Sequence, residues 1–307
     1  MKVRYGIATS PPTIDTVGVY FALDNGYFTE QGLNVEVTGF VGGTTAIRAL
    51  LSRDVEVAES SADTIFLAYQ NGAPLKVITS PVARDLNQVV VSKAIPSIKD
   101  MAGHRWGISA PNSQGQILAN IVLKKNGVDP AKVDFVAIGS PADRVKALLA
   151  NRIDATTMIT FDQQAILDAI AKGDFKLLGA VADEVPDLPD QYEVTRDDVI
   201  KSQPDMLTKF VTAEIKGYRW AQANPDKAAT LISKYIKEAP AAQLANASKT
   251  MADLKVWGVD GGFTLDGVDK AQKLYQELGV LKNASKAGDV ATTQFADQAV
   301  KALGAAK

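Results

Sequence analysis

The sequence predicts an α/β protein made of two Rossmann-like lobes joined by two crossing segments. Strand-like and helix-like segments alternate along the first part of the chain, which is typical of a parallel sheet with helical crossovers. In addition, a helix end, a tight turn and a strand start at residues 49–57 (ALLSRDVEV) recur at residues 147–155 (ALLANRIDA). This echo indicates that one βαβ unit has been built twice.

The composition is that of an ordinary globular protein with room for two cores. The chain has 307 residues, of which 46% are apolar and 22% are charged. A net charge of −2 gives no basic surface, so nucleic acid is not an expected partner. Cysteine is absent, which excludes disulfides, thiolate nucleophiles and cysteine-bound zinc. No apolar run is long enough to span a bilayer, and the first residues lack the pattern of a signal peptide.

The alternating pattern defines the elements of both lobes. In the first lobe we expect strands near residues 3–8, 33–38, 55–58 and 75–79, with helices near residues 15–31, 44–52 and 63–71. The pattern resumes with a strand at residues 89–91. It continues with strands near residues 106–109, 134–138, 153–156 and 176–178, and with helices near residues 114–126, 141–151 and 161–172.

The remaining chain defines the domain organisation. Residues 183–191 contain Pro186 and Pro189 and are interpreted as a connector, after which the sequence is mostly helical. Because the helical part has no sheet of its own, we expect it to pack on the first lobe. The predicted domains are therefore lobe I at residues 1–82 and 190–307 and an inserted lobe II at residues 83–189. Two crossing segments would make a hinge.

The predicted ligand site lies at the carboxyl ends of the strands, where ligands of open parallel sheets bind. Several loops there bring hydroxyls or glycines and then begin a helix, a combination that favours an anion. The candidate ligand-binding residues in these loops are Ser10, Thr13, Gly43, Thr44, Ser60, Ser61, Asn112, Ser113, Gln114 and Thr157. Each of the polar ones could instead be an ordinary helix cap.

Three further residues complete the candidate site. Arg84 could clamp a carboxylate or sulfonate, or it could be a solvated hinge residue. Phe161 and Tyr192 could form a wall for an apolar ligand body, although Phe161 could equally belong to the core. His104 is the only histidine, so neither a Ser-His-Asp triad nor a histidine-based metal site is expected.

Four stretches of the chain resemble a known family. They are residues 20–36 (YFALDNGYFTEQGLNVE), residues 42–75, residues 98–108 (IKDMAGHRWGI) and residues 224–228 (NPDKA). In these stretches the chain is similar to the periplasmic solute-binding proteins of ABC importers, in the branch that binds sulfonates, taurine, nitrate and thiamine precursors. The resemblance implies the type II periplasmic-binding-protein fold and delivery of a small-molecule solute to an ABC permease in the inner membrane.

The favoured function is capture of a small organic anion, a sulfonate or a carboxylate, in the interlobe cleft by hinge closure. The alternatives are a binder of a thiamine-precursor pyrimidine or another heteroaromatic, an enzyme on the same two-lobe fold, and a ligand sensor. We expect a monomer without cofactor or metal and without catalytic residues. The resemblance further implies a periplasmic or a lipid-anchored extracellular location.

Overall fold

The computed structural model describes residues 1–111, 113–161, 163–186, 188–237 and 239–306. The chain forms two compact units. Unit 1 comprises Met1–Arg84 and Asp187–Lys307, and unit 2 comprises Asp85–Pro186. In the described part of the chain, no helix is both long and apolar enough to cross a membrane.

In the described residues, ten strands form one five-stranded sheet in each unit. They are β1 (Lys2–Ile7), β2 (Asn34–Gly39), β3 (Val57–Ser60), β4 (Leu75–Val82), β5 (Gln88–Ser92), β6 (Arg105–Ile108), β7 (Asp134–Ala137), β8 (Ala155–Met158), β9 (Phe175–Ala180) and β10 (Gln191–Arg196).

The described helices include every helix that the sequence predicts, although some begin or end a few residues away. They are α1 (Gly18–Asp24), α2 (Tyr27–Glu30), α3 (Gly43–Leu51), α4 (Ala62–Gln70), α5 (Gln114–Lys125), α6 (Pro141–Leu149), α7 (Gln164–Ala171), α8 (Val181–Glu184), α9 (Asp197–Ser202), α10 (Pro204–Ala223), α11 (Pro225–Ile232), α12 (Ala241–Asp253), α13 (Leu265–Glu277), α14 (Ala287–Val290) and α15 (Gln294–Leu303). The first predicted helix is divided into α1 and α2 at Gly26, which adopts a left-handed conformation with φ of 77°.

The two sheets are built to one plan. Unit 1 has the order β2-β1-β3-β10-β4, and unit 2 has the order β7-β6-β8-β5-β9. Four strands of each sheet run in the same direction, and the fourth in spatial order, β10 or β5, is antiparallel to both of its neighbours. The α/β class is thus confirmed, whereas the expectation of purely parallel sheets is wrong.

Strand β10 is the element that the sequence analysis missed. It begins at Gln191, inside the predicted connector, and all six of its residues are buried. The sequence QYEVTR has only one aliphatic residue, so hydrophobic periodicity gives no strand signal there. It is buried because β3 and β4 flank it on both sides. Tyr192 is therefore a fully buried central-strand residue and does not lie in a polar connector.

The repeated sequence has the structural role that was expected of it. In both copies a helix ends, one residue takes a positive φ (Arg53 at 71° and Asn151 at 53°) and a strand begins. In each copy a carboxylate also forms an ion pair with an arginine of the neighbouring strand. Arg105 of β6 donates from Nε and Nη2 to Asp154 at 2.9 and 2.7 Å, and Arg4 of β1 pairs with Glu56 in the same way.

One core cluster of unit 2 lies between its sheet and the helices α6 and α7. It contains Val90 of β5, Leu148 of α6, Met158 of β8, Ile166 of α7 and Phe175 of β9. In unit 1, the long helix α10 packs against α1, α2 and α15. Its Gly217 permits the close approach to α1, since a Cβ there would lie 2.7 Å from the Ala22 nitrogen. These packed layers fix the carboxyl ends of the strands, where the candidate residues lie.

Candidate functional site

A buried arginine lies at the carboxyl edge of the unit 2 sheet. Arg144 lies in the first turn of α6 and is only 7% exposed. Its Nε has no hydrogen-bond partner, and in the part of the chain that the structure describes no carboxylate pairs with its guanidinium. Burial lowers the pKa of this guanidinium to about 10, because its charge is removed from water without a compensating anion.

Three other residues converge on this arginine. A Cβ placed on Gly115, the second residue of α5, would lie 3.2 Å from Arg144 Nη1, 3.8 Å from Thr157 Oγ1 and 3.9 Å from Ser113 Oγ. Thr157 Oγ1 donates to the Gly115 carbonyl at 3.0 Å. We call Ser113, Gly115, Arg144 and Thr157 the Arg144 cluster. In this cluster a guanidinium and two hydroxyls lie at the amino end of α5, a helix of twelve residues.

Ser113 is not used as the cap of its own helix. It occupies the N-cap position of α5, but its side chain makes no capping hydrogen bond, and its buried Oγ has no partner among the described residues. By contrast, Ser140 does cap α6 and accepts a hydrogen bond from the Asp143 nitrogen at 3.2 Å. The hydroxyl of Ser113 is thus available to a ligand, and the cluster as a whole offers donors to an oxyanion.

A second group of polar atoms lies at the carboxyl end of β3 in unit 1. Ser60 and Tyr192 are register partners on neighbouring antiparallel strands, so their side chains lie on the same face of the sheet. Both are fully buried, and within the described part of the chain neither Ser60 Oγ nor Tyr192 Oη has a hydrogen-bond partner. Gly43 begins α3 directly over Ser60, where a Cβ would overlap the serine hydroxyl.

Asp63 belongs to the same end of the sheet. It is the second residue of α4 and is 6% exposed, and its Oδ1 has no hydrogen-bond partner among the residues that the structure describes. It precedes Phe66 by one helical turn, and the Phe66 ring lies 6.0 Å from the ring of Tyr192. We call Ser60, Asp63 and Tyr192 the Asp63 cluster.

The opposite face of β3 holds a buried cluster of carboxyl groups. Tyr5 Oη donates to Glu193 at 2.6 Å and lies 3.2 Å from Glu59, and the Ala8 nitrogen donates to Glu59 at 3.0 Å. Glu214 of α10 is also fully buried and interacts with Glu193 and Tyr218. Burial, together with the charge of Glu193, holds the pKa of Glu214 well above its usual value.

Glu59 therefore lies away from the Asp63 cluster. Neighbouring residues of a strand point to opposite faces, so Glu59 faces the carboxyl cluster while Ser60 faces Gly43 and Tyr192. Burial raises the pKa of Glu59 well above its usual value, and Asp15 and Glu193 add to this effect.

The other predicted site residues are less closely grouped. Thr13 is half-buried, and its hydroxyl lies in a cluster with the hydroxyls of Thr9 and Thr16. Its backbone nitrogen donates to Thr16 Oγ1 at 2.9 Å. Ser10 and Thr44 are exposed, whereas Gln114 is half-buried at the start of α5. The Oγ of Ser61 lies 3.2 Å from Thr64 Oγ1.

Three predicted residues remain. Phe161 is buried with 6% of its surface exposed, as a core residue would be. Arg84 is half-buried and already interacts within the chain, so its proposed clamp stays a prediction. Asn112 lies outside the described residues.

Arg144 was missed by the sequence analysis, although the sequence holds a signal for it. In α6 the buried face comprises Arg144, Val145, Ala147 and Leu148, so an arginine stands where the helix period requires an apolar residue. The repeated unit has Ala46 at the matching place in α3. The two copies therefore differ in charge on the inner face of this helix.

Comparison with known proteins identifies the class. The model of the NMT1/THI5-like family matches residues 13–228, and the chain belongs to this family. A putative sulfonate ABC transporter periplasmic binding protein, SsuA from Methylobacillus flagellatus, superposes with a TM-score of 0.76 at 18% identity, over 99% of this chain and 94% of that one. The periplasmic nitrate-binding protein NrtA from Synechocystis gives a TM-score of 0.76 at 14% identity, over 99% and 89%. The predicted periplasmic-binding-protein fold and the family resemblance are both confirmed.

Two curated relatives extend the comparison. The formylaminopyrimidine-binding protein of Halalkalibacterium halodurans is 24% identical over 216 residues, which is 70% of this chain and 64% of the relative. The taurine-binding periplasmic protein of Escherichia coli is 26% identical over 212 residues, or 66% of this chain and 62% of the relative. The chain thus spans less than two thirds of the length of these relatives. Among the residues that the structure describes, no group of three or more acidic or histidine side chains could hold a metal ion.

Proposed function

We propose that this protein is the solute-binding component of an ABC import system and that it captures a small organic anion, a sulfonate or a carboxylate. The observation that carries the proposal is the buried Arg144 guanidinium without an anionic partner in the described chain. The names of its relatives, which include taurine-binding and sulfonate-binding proteins, support the same class of solute.

The energetics of Arg144 explain why an anion belongs there. A buried charge without a partner costs the folded protein several kcal/mol, so it persists where function requires it. A sulfonate or carboxylate would accept two parallel hydrogen bonds from the guanidinium fork. The free hydroxyl of Ser113 and the amino end of α5 supply further donors to the same group.

A neutral or cationic heteroaromatic is the second candidate. The formylaminopyrimidine-binding relative supports it, and so does the unpartnered carboxylate oxygen of Asp63. The main proposal also includes delivery of the solute to a permease and a non-catalytic role. It further includes a periplasmic or lipid-anchored extracellular location. Hinge closure on the solute also stays a prediction.

The proposal is tested by thermal unfolding in the presence of candidate solutes. Ethanesulfonate, propanoate and their amino-substituted analogues should raise the melting temperature, whereas ethanol and propanamide should not. A solute present at 100 times its Kd adds about 2.7 kcal/mol to the free energy of unfolding. Stabilisation by an aminopyrimidine alone, with none from any anion, would overturn the anionic assignment.

A further inference from the structure

We propose that Gly115 determines which anionic head groups the Arg144 cluster accepts. The head group occupies the space that the missing side chain of Gly115 leaves open, and it contacts the backbone of this residue. The inference rests on the proposed function and concerns unit 2 alone, because every residue of the Arg144 cluster lies between Asp85 and Pro186.

The first support is the set of atoms that surround the position of the missing side chain. A Cβ on Gly115 would have as its three nearest neighbours Arg144 Nη1 at 3.2 Å, Thr157 Oγ1 at 3.8 Å and Ser113 Oγ at 3.9 Å. All three are polar, and one belongs to a buried cation. The space beside Gly115 therefore suits a charged group of a ligand better than an apolar side chain.

The second support is that the backbone at this position does not require glycine. The φ of Gly115 is not positive, so the left-handed conformation that favours glycine is not the reason for its presence. Glycine is also among the least favourable residues inside a helix, and Gly115 is the second residue of α5. The space beside it is what explains a glycine here.

The third support is the supply of donors at the start of α5. Among the described residues, no acceptor receives the backbone N–H of Gln114 or of Gly115, whereas the next two N–H groups both donate to the Ser113 carbonyl, at 2.9 and 3.0 Å. Unused N–H groups at the start of a helix bind oxyanions. The guanidinium of Arg144, whose Nε has no partner in the same part of the chain, supplies the charge.

The geometry indicates how a side chain at this position would change the preference. A Cβ 3.2 Å from Arg144 Nη1 is closer than the optimal separation of about 3.5–4.0 Å between non-bonded atoms, so a methyl group would press on the guanidinium and narrow the space. A flat carboxylate can still present its edge to the guanidinium. A tetrahedral sulfonate is thicker and cannot. Glycine thus admits both head groups, and alanine should admit only the flat one.

The inference is tested by calorimetric titration with ethanesulfonate and propanoate, which share an ethyl group and differ in the head group. Gly115→Ala should weaken binding of ethanesulfonate by at least about 20-fold, as overfilling of a packed site does, and binding of propanoate by less than about threefold. An equal loss for both solutes, no loss for ethanesulfonate, or a native chain that binds only one of them would overturn the inference and leave the proposed function standing. Absence of binding by any organic anion to the native chain would overturn the proposed function.

Urea unfolding without solute separates this role from a packing role. If Gly115 only made room for Arg144, alanine would strain the folded protein, and a lower free energy of unfolding or a failure to fold would overturn the inference. We expect a free energy of unfolding equal to or above that of the native chain, because alanine favours the helix.

Gly288→Ala is the matched control. Gly288 is likewise the second residue of its helix, α14, its φ is not positive, and a Cβ there would meet no other part of the described chain within 4 Å. The control should bind both solutes within about twofold of the native affinities, as substitutions away from a site do. A change in the ratio of the two affinities as large as that in Gly115→Ala would overturn the inference.

Discussion

Replacing Arg144 by glutamine is expected to weaken binding of the organic anion by about 100-fold. Loss of one partner from a buried, hydrogen-bonded charge pair costs about 2–5 kcal/mol, and 2.7 kcal/mol corresponds to a factor of 100. The same substitution should stabilise the protein without solute, because it removes a buried charge that has no partner in the described chain. Calorimetric titration and urea unfolding measure the two effects on one preparation.

The opposite signs of these effects separate a binding residue from a structural one. Arg105→Gln is the matched control, because Arg105 lies in the same unit but already pairs with Asp154 at the amino end of its strand. It should leave the affinity unchanged and lower the stability only slightly, as for other partly exposed pairs. Unchanged affinity in Arg144→Gln, or a loss of stability larger than that of the control, would remove Arg144 from the binding site.

The free energy of unfolding is expected to fall as the pH rises from 5 to 8. The cause is the carboxyl cluster of Glu59, Glu193 and Glu214, in which burial raises each pKa above its value in the unfolded chain. Such a group contributes stability that is complete below the unfolded pKa and is lost as the pH rises through the folded pKa. For each proton that is bound in the folded state only, the free energy of unfolding falls by about 1.4 kcal/mol per pH unit in that window.

Glu214→Gln tests this origin, because its amide keeps the shape but cannot ionise. The variant should gain stability relative to the native chain at pH 8 and differ little at pH 5, so that its pH dependence becomes shallower. Glu277→Gln, at an exposed helical glutamate, is the control and should follow the native curve. Parallel curves for Glu214→Gln and the native chain, measured by urea unfolding at both pH values, would show that Glu214 is ionised in the folded protein.

Much of the fold could be predicted from the sequence because most strands alternate with amphipathic helices. The repeated sequence at residues 49–57 and 147–155 also predicted two equivalent turns. In the structure, each turn contains a positive-φ residue and is followed by an ion pair to the neighbouring strand. Strand β10 could not be predicted in the same way. It is buried through its place between two strands far away in sequence, and neither its composition nor its periodicity reflects that contact.

The candidate site was likewise predicted only in part. The strand-end rule selected Ser113 and Thr157, which lie in the Arg144 cluster, and it selected Ser60, which lies in the Asp63 cluster beside Gly43. The rule looks only at loops, so it passed over Arg144, whose Cα belongs to a helix and whose side chain reaches the cluster from there. Tyr192 was selected as a wall residue for an apolar ligand body in a predicted connector, but it is a buried member of β10, because its setting depends on strand pairing.

A crystal structure of the protein with 2-aminoethanesulfonate bound tests the central claim most directly. We predict that sulfonate oxygens lie within about 3 Å of the Arg144 guanidinium and accept hydrogen bonds from it, with Ser113 Oγ as a further donor. The contradictory result is a bound solute whose anionic group contacts neither residue while the Arg144 guanidinium remains without an anion.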